Sequence, residues 1–303
     1  MSSQRSVGFV GLGNMGSSMS SHLLKKGNKV VVYDVNPNAM AALAKEGAET
    51  ASSPADLAGR CQYVMTMVPT GKEVMHVYAG KDGILSNVKP GTYLMDSSTI
   101  DPNTSREVHK LATEKGAIFM DTPVSGAVPA AKAATLTFMC GGKASDVEKI
   151  KDVLLCMGKN VVHTGDIGTG SIAKICNNMQ LAISMIGTSE ALNLAQNMGL
   201  DPKLMTQILN ISSGRTWVSE IYHPVPGIME NVPASNEYKN GFLTQLITKD
   251  LGLAQSIAHQ SQSPIPLGST AHMVYRMMLN NGYFNKDFSV VYQFLKDKDN
   301  KKN

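Results

Sequence analysis

From Gly168 to Met198, apolar side chains recur at steps of three and four. Ile172, Ile175, Met179, Ile183 and Ile186 make one stripe, and Leu181, Met185 and Leu192 add a second. No proline interrupts the run, which stops at Gly199-Leu200-Asp201-Pro202. The pattern predicts a helix buried nearly all round, roughly 45 Å long and able to bridge two domains.

Upstream of that helix the period changes. Short apolar runs predict strands at 7–10, 29–33, 63–68, 92–96, 117–120, 135–139 and 161–164. Between them, helices are expected at 17–26, from Pro37 toward Glu46, from Pro54, at 102–115 and at 145–155. Such alternation specifies a doubly wound sheet whose ligands bind beyond the carboxyl ends of its strands. Downstream only helical spacing remains, at 202–211, 243–260, 268–281 and 287–295. The stretch 212–241, with Pro224, Pro226 and Pro233, reads as loops and short turns. The expected fold is an α/β Rossmann-type amino-terminal domain, 1–164, plus an all-α carboxyl-terminal domain, 165–303. The long interdomain helix at 168–198 joins them.

The first strand–helix–strand unit carries recognisable chemistry. Gly11-Leu12-Gly13-Asn14-Met15-Gly16 is a GxGxxG run directly after a strand, and Asp34 ends the next strand about twenty residues later. Gly11 permits the tight turn, Gly13 lets the backbone approach a pyrophosphate, and Gly16 lets helix and strand pack closely. The helix amino end attracts the phosphates. Asp34 has two readings: an acceptor for the adenosine ribose hydroxyls, whose charge repels a 2′-phosphate and favours NAD over NADP, or a solvated carboxylate at a strand end.

Composition narrows the class. The 303 residues suffice for two cores, and 43% hydrophobic with 17% charged is ordinary globular composition. The formal charge of +4 owes much to Lys296, Lys298, Lys301 and Lys302, so no nucleic-acid footprint is expected. Cys61, Cys140, Cys156 and Cys176 show neither CxxC spacing nor a histidine partner; reduced thiols are expected, with no metal and no disulfide frame. No apolar run reaches membrane-spanning length, and no long transit sequence is visible.

Two further stretches leave alternatives open. Lys174 and Asn178 stack one turn apart near the start of the long helix. An ammonium there opposes the helix dipole, and the same field with partial burial lowers its pKa toward general acid/base use; the other reading is a lysine that snorkels to solvent. Ser125 and the amides around Gly126 suit a carboxylate, or form a plain glycine turn. Trp217 is a pocket wall or a core or interface residue.

Together, VGFVGLGNMG, DTPVSG followed by TLTFMCGG, GTGSIAKICNN and KDLGLA resemble, in order and spacing, the four signatures of the β-hydroxyacid dehydrogenases. The stretches SSGRTW and YHPVPGIMENVP are similar to the branch that oxidises 3-hydroxyisobutyrate in valine breakdown. The resemblance implies NAD as cofactor and a small 3-hydroxy acid as substrate, oxidised to methylmalonate semialdehyde. It implies Lys174 as catalytic general acid/base with Asn178 positioning the substrate, and Ser125, Gly126 and Ala127 as the carboxylate-binding loop. Val68, Pro69, Thr99 and Lys249 correspond to cofactor contacts beside the glycine loop and Asp34. It also implies a homodimer or homotetramer, in the mitochondrial matrix of a eukaryote or otherwise the cytoplasm. The chain departs from the family's SGGxxGA pattern at Ala127, Ala130 and Ala134, where glycines are usual. At Ala127 a positive φ would be strained by a methyl group, which bears on substrate choice and not on fold. The alternatives are a reductase of another small semialdehyde (tartronate, succinic or glyoxylate type) and a non-catalytic, dehydrogenase-like interaction module.

Overall fold

The computed structural model describes residues 5–296; Lys298, Lys301 and Lys302 lie outside the described residues. The chain divides into two compact units, one through Lys174 and the other from Ile175 onward.

The first unit holds a nine-stranded sheet: Ser6–Val10 (β1), Lys29–Tyr33 (β2), Glu49–Thr50 (β3), Tyr63–Thr66 (β4), Tyr93–Asp96 (β5), Ile118–Asp121 (β6), Val124–Ser125 (β7), Leu136–Gly141 (β8) and Gly158–Gly165 (β9). Its order is β3-β2-β1-β4-β5-β6-β8-β7, with β9 beside β8. From β3 to β6 all pairs are parallel, the Rossmann order, and β8 reverses against β6 and β7. Its helices are Gly16–Lys25 (α1), Pro37–Lys45 (α2), Pro54–Arg60 (α3), Gly71–Ala79 (α4), Pro102–Glu114 (α5), Ala127–Ala133 (α6) and Ala144–Leu154 (α7). Pro37, Pro54 and Pro102 each open a helix behind an Asn36, Ser53 or Asp101 cap.

Both faces of the sheet are buried, because successive strand residues point to opposite sides. Val30, Val32, Met65, Met95 and Met120 join one core; Val31, Val64, Leu94 and Phe119 join the other. α4, β3, β7 and α6 were not foreseen: β3 and β7 are two residues each, too short for a periodic signal, and α6 is a run of small residues around Pro129.

The long helix, Thr169–Asn197 (α8), forms as its spacing predicts, but it is not buried all round. Cys176, Gln180, Gly187, Glu190 and Leu194 lie exposed along one stripe. The unit boundary falls inside α8, after Lys174, ten residues beyond the expected 164. The physical reason is that the amides of Gly168 and Ser171 bond to Asp121 of β6, so the opening turns belong to the sheet unit.

The second unit is helical: Pro202–Ile211 (α9), Trp217–Ile221 (α10), Thr244–Ser261 (α11), Pro266–Asn280 (α12) and Val291–Lys296 (α13), packed with the remainder of α8. Its core gathers Met185, Ile186, Tyr222, Ile247, Leu251, Tyr275, Met278 and Phe288. Trp217 stacks on Tyr222 at 5.1 Å and stays 47% exposed, so it is only partly absorbed by that core. No helix among the described residues is long and apolar enough to cross a membrane.

Asp287 organises this unit. Fully buried, it accepts the Tyr222 hydroxyl at 2.8 Å, the Phe242 amide at 2.7 Å and the Ser289 amide at 2.9 Å. Burial pushes its carboxyl above the ordinary range, against these donors, which pull it down. Asp287→Ala would leave those donors buried without an acceptor. We expect a loss of about 3 kcal/mol or more in guanidinium unfolding of the helical unit; a loss below about 1 kcal/mol would show the network to be dispensable.

Candidate active site

The glycine loop after β1 is built by close approach. Gly11 has φ +95°, and a Cβ there would lie 2.2 Å from the Met67 carbonyl oxygen; at Gly16 it would lie 1.9 Å from the Gly11 carbonyl oxygen. Gly13 differs, because a Cβ on it would meet nothing within 4 Å. Its smallness therefore serves something outside the chain. α1 begins beside it with no side-chain cap and no acid in its first turn, which leaves its amides and dipole available to an anion. These are the requirements of a dinucleotide pyrophosphate.

Asp34 is held rigidly at the end of β2. Its oxygens accept the amides of Leu12 at 2.6 Å and Asn36 at 2.7 Å, so the loop and the carboxylate are one assembly. Each oxygen retains acceptor capacity for a diol. The following residue is Val35, 90% exposed, then Asn36, neither a cation that would suit a 2′-phosphate.

Beyond β4 and β5, Val68 donates its amide to the Ser98 hydroxyl at 3.0 Å, and its Cγ1 would lie 3.1 Å from a Cβ on Gly11. Val68 thus touches the glycine turn. Pro69 and Thr99 follow in the same strand-end connections. Beneath them Asp96, fully buried, accepts the hydroxyls of Thr66 at 2.6 Å and Ser98 at 2.7 Å. Burial raises its carboxyl to about 6, opposed by those hydroxyls and helped by Asp121 of the adjoining strand.

Ser125 ends β7, and Gly126, at φ +131°, turns the chain into α6. Ala127 takes φ +54°, so the strain expected there from a methyl group is present, and Ala134 at the end of α6 takes the same φ, about 1–2 kcal/mol each. Ala130 lies where a Cβ on Gly126 would fall, 2.4 Å away, so the third substituted position packs over the glycine.

Lys174 sits in the second turn of α8, 9% exposed, and Asn178 one turn on is buried. The Asn178 amide donates to Asp250 Oδ2 at 2.6 Å. Because a carboxylate only accepts, the amide nitrogen must face it, which fixes the side chain's orientation. Lys249 Nζ lies 3.2 Å from Asp250 Oδ1, so Lys249, Asp250 and Asn178 form one cluster in the second unit.

Two carboxylates were missed as site builders. Asp250 lay unremarked inside KDLGLA. Asp121 lay unremarked inside DTPVSG; its oxygens take the amides of Gly168 at 2.7 Å and Ser171 at 2.8 Å, and burial raises its carboxyl. It offsets the positive end of α8 that the dipole argument treated as bare. Near the end of the described residues, the Lys296 ammonium lies 5.9 Å over the Tyr292 ring, whose hydroxyl donates to Gln196 at 2.6 Å.

Comparison with known proteins gives concordant matches. Residues 6–165 match the NAD binding domain of 6-phosphogluconate dehydrogenase, and residues 168–295 the NAD-binding domain of NADP-dependent 3-hydroxyisobutyrate dehydrogenase. The mitochondrial 3-hydroxyisobutyrate dehydrogenases of Mus musculus and Homo sapiens are each 52% identical over 299 residues, 99% of this chain and 89% of theirs. An NAD-dependent L-serine dehydrogenase of Pseudomonas aeruginosa is 44% identical over 287 residues, 95% of this chain and 96% of its own. The structure of a Mycobacterium tuberculosis 3-hydroxyisobutyrate dehydrogenase with L-serine superposes with a TM-score of 0.91 at 38% identity, covering 97% of this chain and 99% of that one.

The glycine geometry separates folding from binding. Gly13→Ala should keep the parent's melting temperature within about 2 °C yet weaken NADH binding at least tenfold by fluorescence titration. Gly16→Ala should lower the melting temperature outright. Unchanged NADH affinity in Gly13→Ala would contradict the pyrophosphate assignment. Asp96 generates a pH dependence. Its folded-state pKa lies above the ordinary value, so its stabilising contribution is present below about pH 4 and is lost as pH rises through about 6. The stability of Asp96→Asn relative to the parent should therefore rise from pH 4.5 to pH 7.5, by up to about 2 kcal/mol; a pH-independent difference in melting temperature would refute this.

Proposed function

Because the chain belongs to the 3-hydroxyisobutyrate dehydrogenase family and is an NAD-dependent oxidoreductase, we propose that it oxidises 3-hydroxyisobutyrate to methylmalonate semialdehyde. The observation that carries the chemistry is a buried Lys174 one helical turn from Asn178, whose amide Asp250 holds in a single orientation.

Ser125 and the backbone of Gly126 and Ala127 hold the substrate carboxylate. Lys174, neutral or through a water, takes the hydroxyl proton as the carbinol C–H bond breaks. Bound NAD⁺ supplies the acceptor for the hydride. In the reverse direction Lys174 returns the proton, and as an ammonium it stabilises developing alkoxide charge. Asn178 orients the substrate and the amine. Gly11, Leu12, Gly13, Asn14, Met15, Gly16 and Asp34 hold the adenosine and pyrophosphate; Val68, Pro69, Thr99 and Lys249 border the nicotinamide. Asp34, followed by Val35 and Asn36 rather than by a cation, selects NAD over NADP.

Residues 165–303 act as the substrate and oligomerisation domain. Exposed apolar side chains on its helices, among them Leu194, Ile211, Leu267 and Met273, support a homodimer or homotetramer. The mitochondrial mouse and human relatives support a matrix location if the source is eukaryotic. A second reading, oxidation of L-serine, is favoured by the Pseudomonas aeruginosa relative.

Initial rates of NADH formation on 3-hydroxyisobutyrate, L-serine, glycerate and 4-hydroxybutyrate test the substrate. We expect the highest kcat/KM on 3-hydroxyisobutyrate with NAD⁺; a higher value on L-serine decides for the second reading. Lys174→Ala should lower kcat roughly 10²–10⁴-fold while NADH affinity stays within threefold. Retained turnover would remove Lys174 from the chemistry.

A further inference from the structure

β4 and β5 pair in parallel with Thr66 opposite Asp96, which puts both side chains on one face of the sheet. The Thr66 hydroxyl spends its hydrogen on Asp96 Oδ1, so the contact with Tyr78 at 3.0 Å must be donated by the tyrosine. The same reasoning orients Ser98. Its hydrogen goes to Asp96 Oδ1 at 2.7 Å, which turns its lone pairs outward, and one of them receives the Val68 amide at 3.0 Å.

The arrangement is an unusual way to end a strand. Asp96 is fully buried, and its Oδ2 has no hydrogen-bond partner among the described residues. Burying an ionisable group so incompletely satisfied is unfavourable, and an apolar side chain would pack at such a position without that penalty. What an apolar residue cannot do is hold Ser98 as an acceptor. Without the carboxylate, the Ser98 hydroxyl rotates toward other acceptors and the Val68 amide loses its fixed partner. Val68 lies against the Gly11 turn, which belongs to the loop proposed to hold the dinucleotide.

We propose that Asp96 is a positioning residue for NAD, acting through the Ser98 hydroxyl to fix the Val68 backbone against the glycine loop. The role rests on the assignment of Val68 to the cofactor site given above. It belongs to the acceptor oxygen Oδ1 rather than to the charge, so an asparagine placing its carbonyl oxygen there preserves it.

NADH titration by fluorescence and steady-state kinetics on Ser98→Ala, Asp96→Ala, Asp96→Asn and Tyr78→Phe test this. Ser98→Ala and Asp96→Ala should each weaken NADH binding and raise KM for NAD⁺ roughly tenfold, with KM for the hydroxy acid unchanged and kcat at saturating NAD⁺ within twofold. Asp96→Asn should recover NADH affinity to within threefold of the parent. Tyr78→Phe removes a buried bond of the same network that does not lead to Val68, and should lower the melting temperature without altering NADH affinity. NADH affinity within twofold of the parent in Ser98→Ala overturns the proposal, as does an Asp96→Asn loss equal to that of Asp96→Ala. If Asp96→Ala does not fold, as judged by circular dichroism, Ser98→Ala decides alone. A parent that fails to bind NADH would instead overturn the cofactor assignment itself.

Discussion

The carboxylate of Asp121, at the carboxyl end of β6, takes the amide hydrogens of Gly168 and Ser171 on its two oxygens, and this determines where α8 begins. Fixing the first turn sets the height and rotation of the helical residues that follow within the same unit, through Lys174. Lys174 therefore inherits its place from a strand end more than fifty residues earlier. The bond pair also satisfies two of the amides that a helix leaves unpaired at its start, and it sets a negative charge at the positive end of the dipole. Because that carboxylate is buried, losing it would leave both donors without water to replace it.

Carboxylates recur as organisers throughout the chain. Asp34 ties the glycine loop to β2, Asp96 ties β4 to β5, Asp250 fixes Asn178, and Asp287 gathers α10, the start of α11 and the segment before α13. Each accepts from donors that would otherwise be misoriented or unpaired. Asp34, alone among these, is only half-buried, as its proposed role with an external diol requires.

The turn at 125–127, proposed above to hold the substrate carboxylate, departs from the glycine pattern at Ala127. Gly126 remains, since a Cβ there would collide with Ala130, while Ala127 keeps the left-handed conformation that glycine adopts freely. The fold tolerates the strain because β7 on one side and α6 on the other hold the turn between them.

The parallel strands β1, β2, β4, β5 and β6, the glycine loop and the long helix were legible in the sequence because each rests on a local signal: a period of two or 3.6, a glycine at fixed spacing, a proline behind a cap. Lys174 and Asn178 were legible as a pair for the same reason, since four residues on a helix is one turn whatever surrounds it. The reversed β8, the two-residue strands and the exposed stripe of α8 were not, because they depend on neighbours distant in the chain. Nor could the sequence reveal what Asp96, Asp121 and Asp250 do. Strand ends and helix turns specify where a carboxylate stands, but only the packed structure decides which donors reach it and whether water can, and its role follows from those two facts.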